Sequence, residues 1–549
     1  MSERQPSAPS GVPAFLRGRP GAAALLALAA AALLLGPLRD IPVDDDWMYR
    51  WTVDGLLAHG RLVIHDLASP SLVLHALWGW LFSLPAGPSY GALRVSTLVL
   101  AALPLWLTAE GSSRRGPLNP GLWLLFNPLF LLLSFTYMTD VPYLAWAVTA
   151  VWLYALAMDK DSAPLLLAAS VAAGAAFLVR QPGLVIPACA AVMLAAGGRR
   201  KTLLLPALLP ALLAAAGYYL WFYGSHGPNW AHYYYSYKIA PRLLDAGPYA
   251  LETLRRLAAS VLYLSLFTAP YALRILAGEG LKVLKGRKAA LGLAAGLVFF
   301  IAWGALPYFT GGGVISAAGI GRAYLGDALP GLLKPHGPWG GPVFMGLLTA
   351  LAALSLAVWC ARWRDLLAGA RENSFNSLLV LAGLAQVLAM LLFFDAFFDR
   401  YLLPLVPGAL LAASAAADRA AQAGKARLLP AAVISVGLAA WSFTGVWDHL
   451  NFSEAKWRAG RAAVAAGFAP ELIANGYEWD AVHSYERNVA KLKEGKKEIG
   501  PWDWRVVSDI EARSSFRAPV SAELALSSAS YFSPLTLRRE TVYVNRERR

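Results

Sequence analysis

The chain of 549 residues is 57% apolar and 15% charged, where a soluble domain carries nearer a quarter charged residues. Its net charge of +14 does not describe a nucleic-acid surface, because Lys and Arg fall mostly in short loops between apolar runs, the positive-inside pattern of an inner membrane protein. Cys189 and Cys360, the two cysteines, lie inside apolar runs and offer neither a disulfide framework nor metal-ligand spacing.

Apolar runs of about twenty residues predict an all-α polytopic membrane protein with about 13 transmembrane helices. Residues 1–18 are expected in the cytoplasm, with Arg4 and Arg17 among their charges. The first helix is placed at about 19–37; the start resembles a signal peptide, but no small-residue cleavage site follows cleanly, so the helix is expected to remain. Residues 39–88 form a long outer segment, in which the short aromatic stretch Leu72–Leu84, carrying His75, is expected to lie flat in the interface. Spans follow at about 90–108, 118–135 and 142–158, then a tight pair, 163–179 and 183–197, around Arg180-Gln181-Pro182-Gly183. The seventh, 202–222, opens an aromatic outer loop from Trp221 to Arg256. Further spans are predicted at 258–277, 289–309, 341–360, 376–394, 401–418 and 428–446. With the N-terminus inside, this transmembrane domain of residues 19–446 delivers residues 447–549 to the outside as a small α/β soluble domain. There Ser453–Ala466 reads as helix, and Leu472–Trp479, Trp504–Val507 and Thr541–Val544 as strands.

Chemistry concentrates at one membrane surface. Asp44, Asp45 and Asp46 are consecutive and cannot lie in hydrocarbon, so they sit in water just beyond the first helix. Asp140 reaches the same side between the third and fourth spans. Arg180, Lys238, Arg242 and Arg400 are there as well, against the general charge bias, and would suit a phosphate at headgroup depth. Each has a plainer reading: solvated acids in a loop, Asp140 complementing a helix dipole, Arg400 paired with Asp399 or Asp395. The aromatic loop can be an interfacial belt or a sugar-stacking platform. His59, His65, His226 and His232 read as ordinary loop residues.

Asp45-Asp46-Trp47-Met48-Tyr49, followed by Gly60, resembles the Asp-Glu-x-x-Tyr…Gly segment in the first outer loop of the C-type glycosyltransferase superfamily, and in particular its family 39 protein mannosyltransferase-like and aminoarabinose transferase-like enzymes. Ser69-Pro70 and Leu93-Arg94 are similar to the stretch leading into the second span. Thr139-Asp140-Val141-Pro142 resembles the second acidic motif, and Arg400-Tyr401-Leu402-Leu403-Pro404, with Pro407, the Arg-Tyr-Leu-Leu-Pro motif near the last helices. The likeness covers residues 20–420 well and 447–549 poorly. The family's Asp-Glu pair is Asp-Asp here, which shortens the reach of Asp46.

The resemblance implies an integral membrane glycosyltransferase of the cell envelope, of hexosyl- or pentosyltransferase type, using a polyprenyl-phosphate sugar donor and a lipid, glycan or protein acceptor. Asp45 would be general base, and Asp46 and Asp140 would hold the acceptor or steady charge on the sugar. Arg400 and Arg180, with Tyr49, Tyr401 and Lys238, would bind substrate. The aspartates could hold a divalent cation, but adjacent carboxylates point in different directions, and no metal or cofactor is expected. A flippase for a lipid-linked saccharide would be expected to show internal repeats or mid-membrane charges; it and a non-catalytic family member are the other readings.

Overall fold

The computed structural model describes residues 19–85, 87–112, 118–198, 201–231, 246–306, 342–393, 397–422, 428–495, 504, 509–516 and 519–547. The chain is a polytopic helical membrane protein with a small strand-bearing C-terminal region. Seven described helices are long and apolar enough to cross a bilayer, or eight if the bent pair Tyr249–Phe267 and Ala269–Leu284 is one span. The expected thirteen are not all recovered, for local reasons. The first helix, Pro20–Leu35, has 16 residues and reaches about 24 Å, short of a hydrocarbon core of about 30 Å. Ala163–Val179, of 17 residues, is similarly short.

The third expected span is two helices, Pro120–Leu125 and Pro128–Ser134. Each starts at an Asn-Pro pair. Asn119 Oδ1 accepts from the Gly121 N–H at 2.8 Å, and Asn127 Oδ1 from the Leu129 N–H at 3.0 Å. The asparagines cap new helices whose first positions suit proline. The chain then turns through Thr136–Thr139 before the Asp140–Lys160 helix begins. In the bent pair the break falls at Thr268, with Pro270 opening the second helix, and the two axes differ by 64°.

The stretch expected to lie flat forms the helix Val73–Ser83, but it is tied into the protein core. His75 is buried and its ring stacks on Tyr137 at 4.0 Å between centroids. The Tyr137 hydroxyl donates to the His75 carbonyl at 2.8 Å. Gly79 permits this approach: a Cβ there would lie 1.9 Å from the Tyr137 hydroxyl oxygen.

The last span does not stop at 446. Leu428–Ala465 is one helix of 38 residues, about 57 Å long, so the boundary drawn at 447 falls inside it. No proline interrupts the chain between Pro430 and Pro470, and the expected helices 428–446 and Ser453–Ala466 are one element. Against its far end packs a sheet ordered β1-β2-β4-β3, with β1 Ile473–Ala474, β2 Ala512–Phe516, β3 Ala525–Ser533 and β4 Arg538–Arg546. β1 and β2 are parallel; β2 with β4 and β3 with β4 are antiparallel. Of the expected strands, Thr541–Val544 lies within β4. Leu472–Trp479 contributes only β1, because Asn475 and Gly476, the latter at φ +95°, turn the chain into the helix Tyr477–Gly495. Trp504 is buried, and residues 505–507 of the remaining strand lie outside the described residues. Ile41, Phe452, Trp457, Trp479, Val542 and Val544 share one buried cluster, so the outer segment that follows the first helix is built into the C-terminal region.

Candidate active site

The acidic turn sends three consecutive carboxylates in three directions. Asp44 has φ +56°, in the left-handed region that Asp tolerates better than most residues. Asp45 is the N-cap of the helix Asp46–His59, which Gly60 ends at φ +63°.

Asp46 faces inward and is fully buried. Its Oδ1 accepts from the Tyr137 N–H at 2.8 Å and its Oδ2 from the Val43 N–H at 3.3 Å. Arg94 Nη2 stands 3.7 Å from Oδ2. Arg94 is itself buried and donates to the carbonyls of Arg39, at 2.6 Å, and Ile41. Burial pushes the Asp46 carboxyl up to about 8, against the pull of Arg94 and the two N–H donors.

Asp44 and Asp45 face outward and share Arg400. Arg400 Nη1 lies 2.9 Å from Asp44 Oδ2, and Nη2 3.8 Å from Asp45 Oδ2. Among the described residues Arg400 pairs with the acidic turn, some 350 residues earlier; Asp395, one of its two expected partners, lies outside them. The Asp45 Oδ1 accepts from the Tyr477 hydroxyl at 2.8 Å. Burial, opposed first by Arg400 and then by the Tyr477 hydrogen bond, holds Asp45 above the usual carboxylate range. Asp44 leaves 47% of its side chain to solvent; its surroundings and the Asp45 charge raise it to about 7.

Asp140 opens its helix, as the dipole reading requires, and also pairs with Arg180. Its second oxygen is buried with no hydrogen-bond partner among the described residues. Arg180 ends the Ala163–Val179 helix. The Tyr401 ring lies between the two guanidiniums, 5.8 Å from that of Arg180 and 6.0 Å from that of Arg400. Asp140, Arg180, Arg400 and Tyr401 line one small cleft together with Tyr143 and Gln386, where the Tyr143 hydroxyl donates to Gln386 at 2.7 Å. Tyr49 is buried beside it, its phenol within electrostatic reach of Asp45, Arg400, Arg180 and Asp140.

The structure therefore brings together Asp45, Asp140, Arg180, Arg400, Tyr49 and Tyr401, and turns Asp46 to the opposite side of its turn. Lys238 lies outside the described residues, as do Arg242 and His232. Among the described residues no group of three His, Cys, Asp or Glu is placed to hold a metal ion.

Three features escape the sequence reading. Asp44, weighed there only as a cation ligand, makes the shorter bond to Arg400. Tyr477 and Glu478 reach the turn from the C-terminal region; no spacing signal links them to it. Two histidines also have more to do than loop residues. His65 is buried within an aromatic group, 4.8 Å from Trp47 and 5.0 Å from Tyr485, and burial pulls its imidazole down to about 3. His226 Nε2 accepts from the Ile64 N–H at 2.8 Å.

No family model matches the chain, and no curated protein matches it. Among solved structures, ArnT from Cupriavidus metallidurans bound to undecaprenyl phosphate is similar at 12% identity, over 95% of this chain and 97% of that one, with a TM-score of 0.37. The same protein in the apo state is similar at 12% identity, over 95% and 98%, with a TM-score of 0.36.

Proposed function

We propose that the chain is an integral membrane glycosyltransferase that moves a sugar from a polyprenyl-phosphate donor to an acceptor hydroxyl at the extracytoplasmic face of a bacterial inner membrane. The N-terminus would be cytoplasmic and the C-terminal region outside. The observation that carries this reading is the cleft in which two arginines, Arg180 and Arg400, meet Asp140 beside the outward-facing pair Asp44 and Asp45. Two guanidiniums over one tyrosine ring suit a departing phosphate. Arg400 Nε, a buried nitrogen, has no hydrogen-bond partner among the described residues.

In the proposed step the acceptor oxygen attacks the anomeric carbon. The bond from that carbon to the lipid phosphate oxygen breaks, and the electron pair leaves with the phosphate. Asp45 takes the acceptor proton, a role worth roughly 10²–10⁴ in rate. Arg400 and Arg180 stabilise the leaving charge, and Asp140 steadies positive charge on the sugar. Asp46 takes no part in proton transfer; it fixes the turn. The step is proposed without a metal, and turnover is expected to survive a strong chelator.

A second reading makes Asp44 the base, since it is the more exposed of the pair and its pKa is near the value that suits a general base at neutral pH. The test is sugar release from a radiolabelled panel of polyprenyl-phosphate sugars in proteoliposomes, comparing wild type with Asp45→Asn and Asp44→Asn. Turnover lost in Asp45→Asn and largely kept in Asp44→Asn supports the first assignment; the reverse supports the second. Absence of turnover by the inserted wild type across the panel, supplied with lipid, glycan and peptide acceptors, would count against the transferase reading itself.

A further inference from the structure

The C-terminal region touches the acidic turn at four successive points. Arg39 pairs with Glu454 at 3.0 Å, and Arg461 donates to the Asp40 carbonyl at 3.0 Å. Glu478 accepts from the Asp44 N–H at 3.3 Å, and Tyr477 donates to Asp45 at 2.8 Å. Behind Glu478 stands Lys456, fully buried, with its Nζ 2.5 Å from the other Glu478 oxygen. A buried lysine is costly unless it is paired, so this pair fixes the start of the Tyr477–Gly495 helix against the long Leu428–Ala465 helix. Trp47, the residue after the three aspartates, holds the same junction from the other side. Its ring meets Tyr477 at 6.4 Å, Tyr485 at 5.7 Å and Trp504 at 6.4 Å. Two of these contacts fall on a residue with positive φ, Asp44, and on its neighbour Asp45, the candidate base.

We infer that Tyr477 is a positioning residue for Asp45, held in place by the Lys456–Glu478 pair, so that the C-terminal region completes the active centre. The inference rests on the transferase reading for its catalytic consequence. A carboxylate flanked only by Arg400 could rotate toward it and close a two-point ion pair with a guanidinium. The Tyr477 hydroxyl holds one oxygen, and leaves the other at 3.8 Å from Arg400, free to take a proton. The groups facing Asp45 are Arg400 and Tyr401 from the span beginning at Asp399, Tyr477 and Glu478 from the C-terminal helix, Asp140 from the cleft, and its chain neighbours Asp44 and Tyr49. Of these, Tyr477 supplies a neutral donor. Its loss removes a hydrogen bond to the ionised form and moves the titration of Asp45 to higher pH.

The test compares full-length wild type with Tyr477→Phe, an isosteric change. Asp45 is labelled by a carbodiimide, which reacts with the protonated carboxyl, and labelling is followed by peptide mass spectrometry against pH. In Tyr477→Phe labelling should persist to higher pH, and turnover in proteoliposomes should fall about ten-fold in kcat, the size of one hydrogen bond, with donor KM little changed. The acid limb of the rate profile should move up with the labelling curve. Coincident labelling curves would overturn the inference, as would a loss confined to KM. Glu478→Gln loosens the tie to Lys456 but also removes a negative charge that raises Asp45, so kcat should fall as in Tyr477→Phe while the labelling curve moves to lower pH. A shifted labelling curve together with a wild type inactive on every donor would leave the contact established and sink the transferase reading instead.

Discussion

The inner and outer sides of the acidic turn are made from the same residue type and do opposite things. On the inner side Asp46 is buried, and it has two backbone donors and the Arg94 guanidinium around it. Arg94 gives its two terminal nitrogens to carbonyls of the segment before the turn, while its Nε has no hydrogen-bond partner among the described residues. On the outer side Asp44 and Asp45 share one arginine at 2.9 and 3.8 Å, and beside them one Asp140 oxygen and the Arg400 Nε have no hydrogen-bond partner among the described residues. A carboxylate with both oxygens bonded holds its turn rigid; one with an open oxygen beside a cleft is where a substrate makes its bonds. Adjacent aspartates thus differ in role because one helix turn and one positive φ aim them apart.

The strongest way to break this comparison is to neutralise the two sides separately. Asp45→Asn should lower sugar transfer by about 10²–10⁴ and leave the thermal unfolding midpoint in detergent near that of wild type. Arg94→Met should do the reverse. It removes the buried guanidinium beside Asp46 and its hydrogen bonds to the carbonyls of Arg39 and Ile41, charged bonds worth about 1.5–3 kcal/mol each, so the unfolding midpoint should drop while the protein that remains folded keeps its kcat. The double variant Arg94→Met with Asp46→Asn should lose less stability than the two single losses added. If Arg94→Met instead abolished turnover without loss of stability, the inner side would belong to the active centre.

Much of this site could be read before the fold was known, and the reason is physical. Charges at membrane depth are costly, so Asp45, Asp140, Arg180 and Arg400 stand out in an apolar chain and must be gathered on one surface. Arg94 carries the same signal inside an apolar run, and Leu93-Arg94 is part of the resemblance, but nothing in the sequence says that it faces Asp46. The direction of each carboxylate was not legible, because it depends on a φ angle at Asp44. Nor was Tyr477, which lies in a region with ordinary soluble composition, where a tyrosine carries no special cost. The sequence reads as one span where Asn-Pro pairs divide an apolar run into two helices, and at 447 polarity changes while the helix continues.

Arg400 offers a sharper test of the outer side. Replacing it with Ala removes the positive charge that lowers both Asp44 and Asp45. The base would then stay protonated to higher pH, so the acid limb of the rate profile should move upward. At the optimum kcat should fall by roughly 10²–10³, the typical loss of one stabilising donor. A profile displaced in the opposite direction would mean that Arg400 does not act on these carboxylates.

The last test concerns stability and belongs to the inner side. Burial raises Asp46 in the folded protein to about 8, above the ordinary carboxylate value of about 3.9. Between those values the folded protein binds more protons at this site than the unfolded chain. Its contribution to stability is therefore fully present below about pH 4 and is lost as pH climbs towards 8. Asp44 and Asp45 are raised as well and act in the same direction, so wild type alone cannot isolate Asp46. The difference between wild type and Asp46→Asn does so, because the amide cannot titrate. Unfolding in detergent across pH 4–8 should show wild type losing stability relative to Asp46→Asn as pH rises. A relative gain would show that Arg94 and the two N–H donors outweigh burial, making the inner clamp an ion pair rather than a protonated carboxyl held by the backbone.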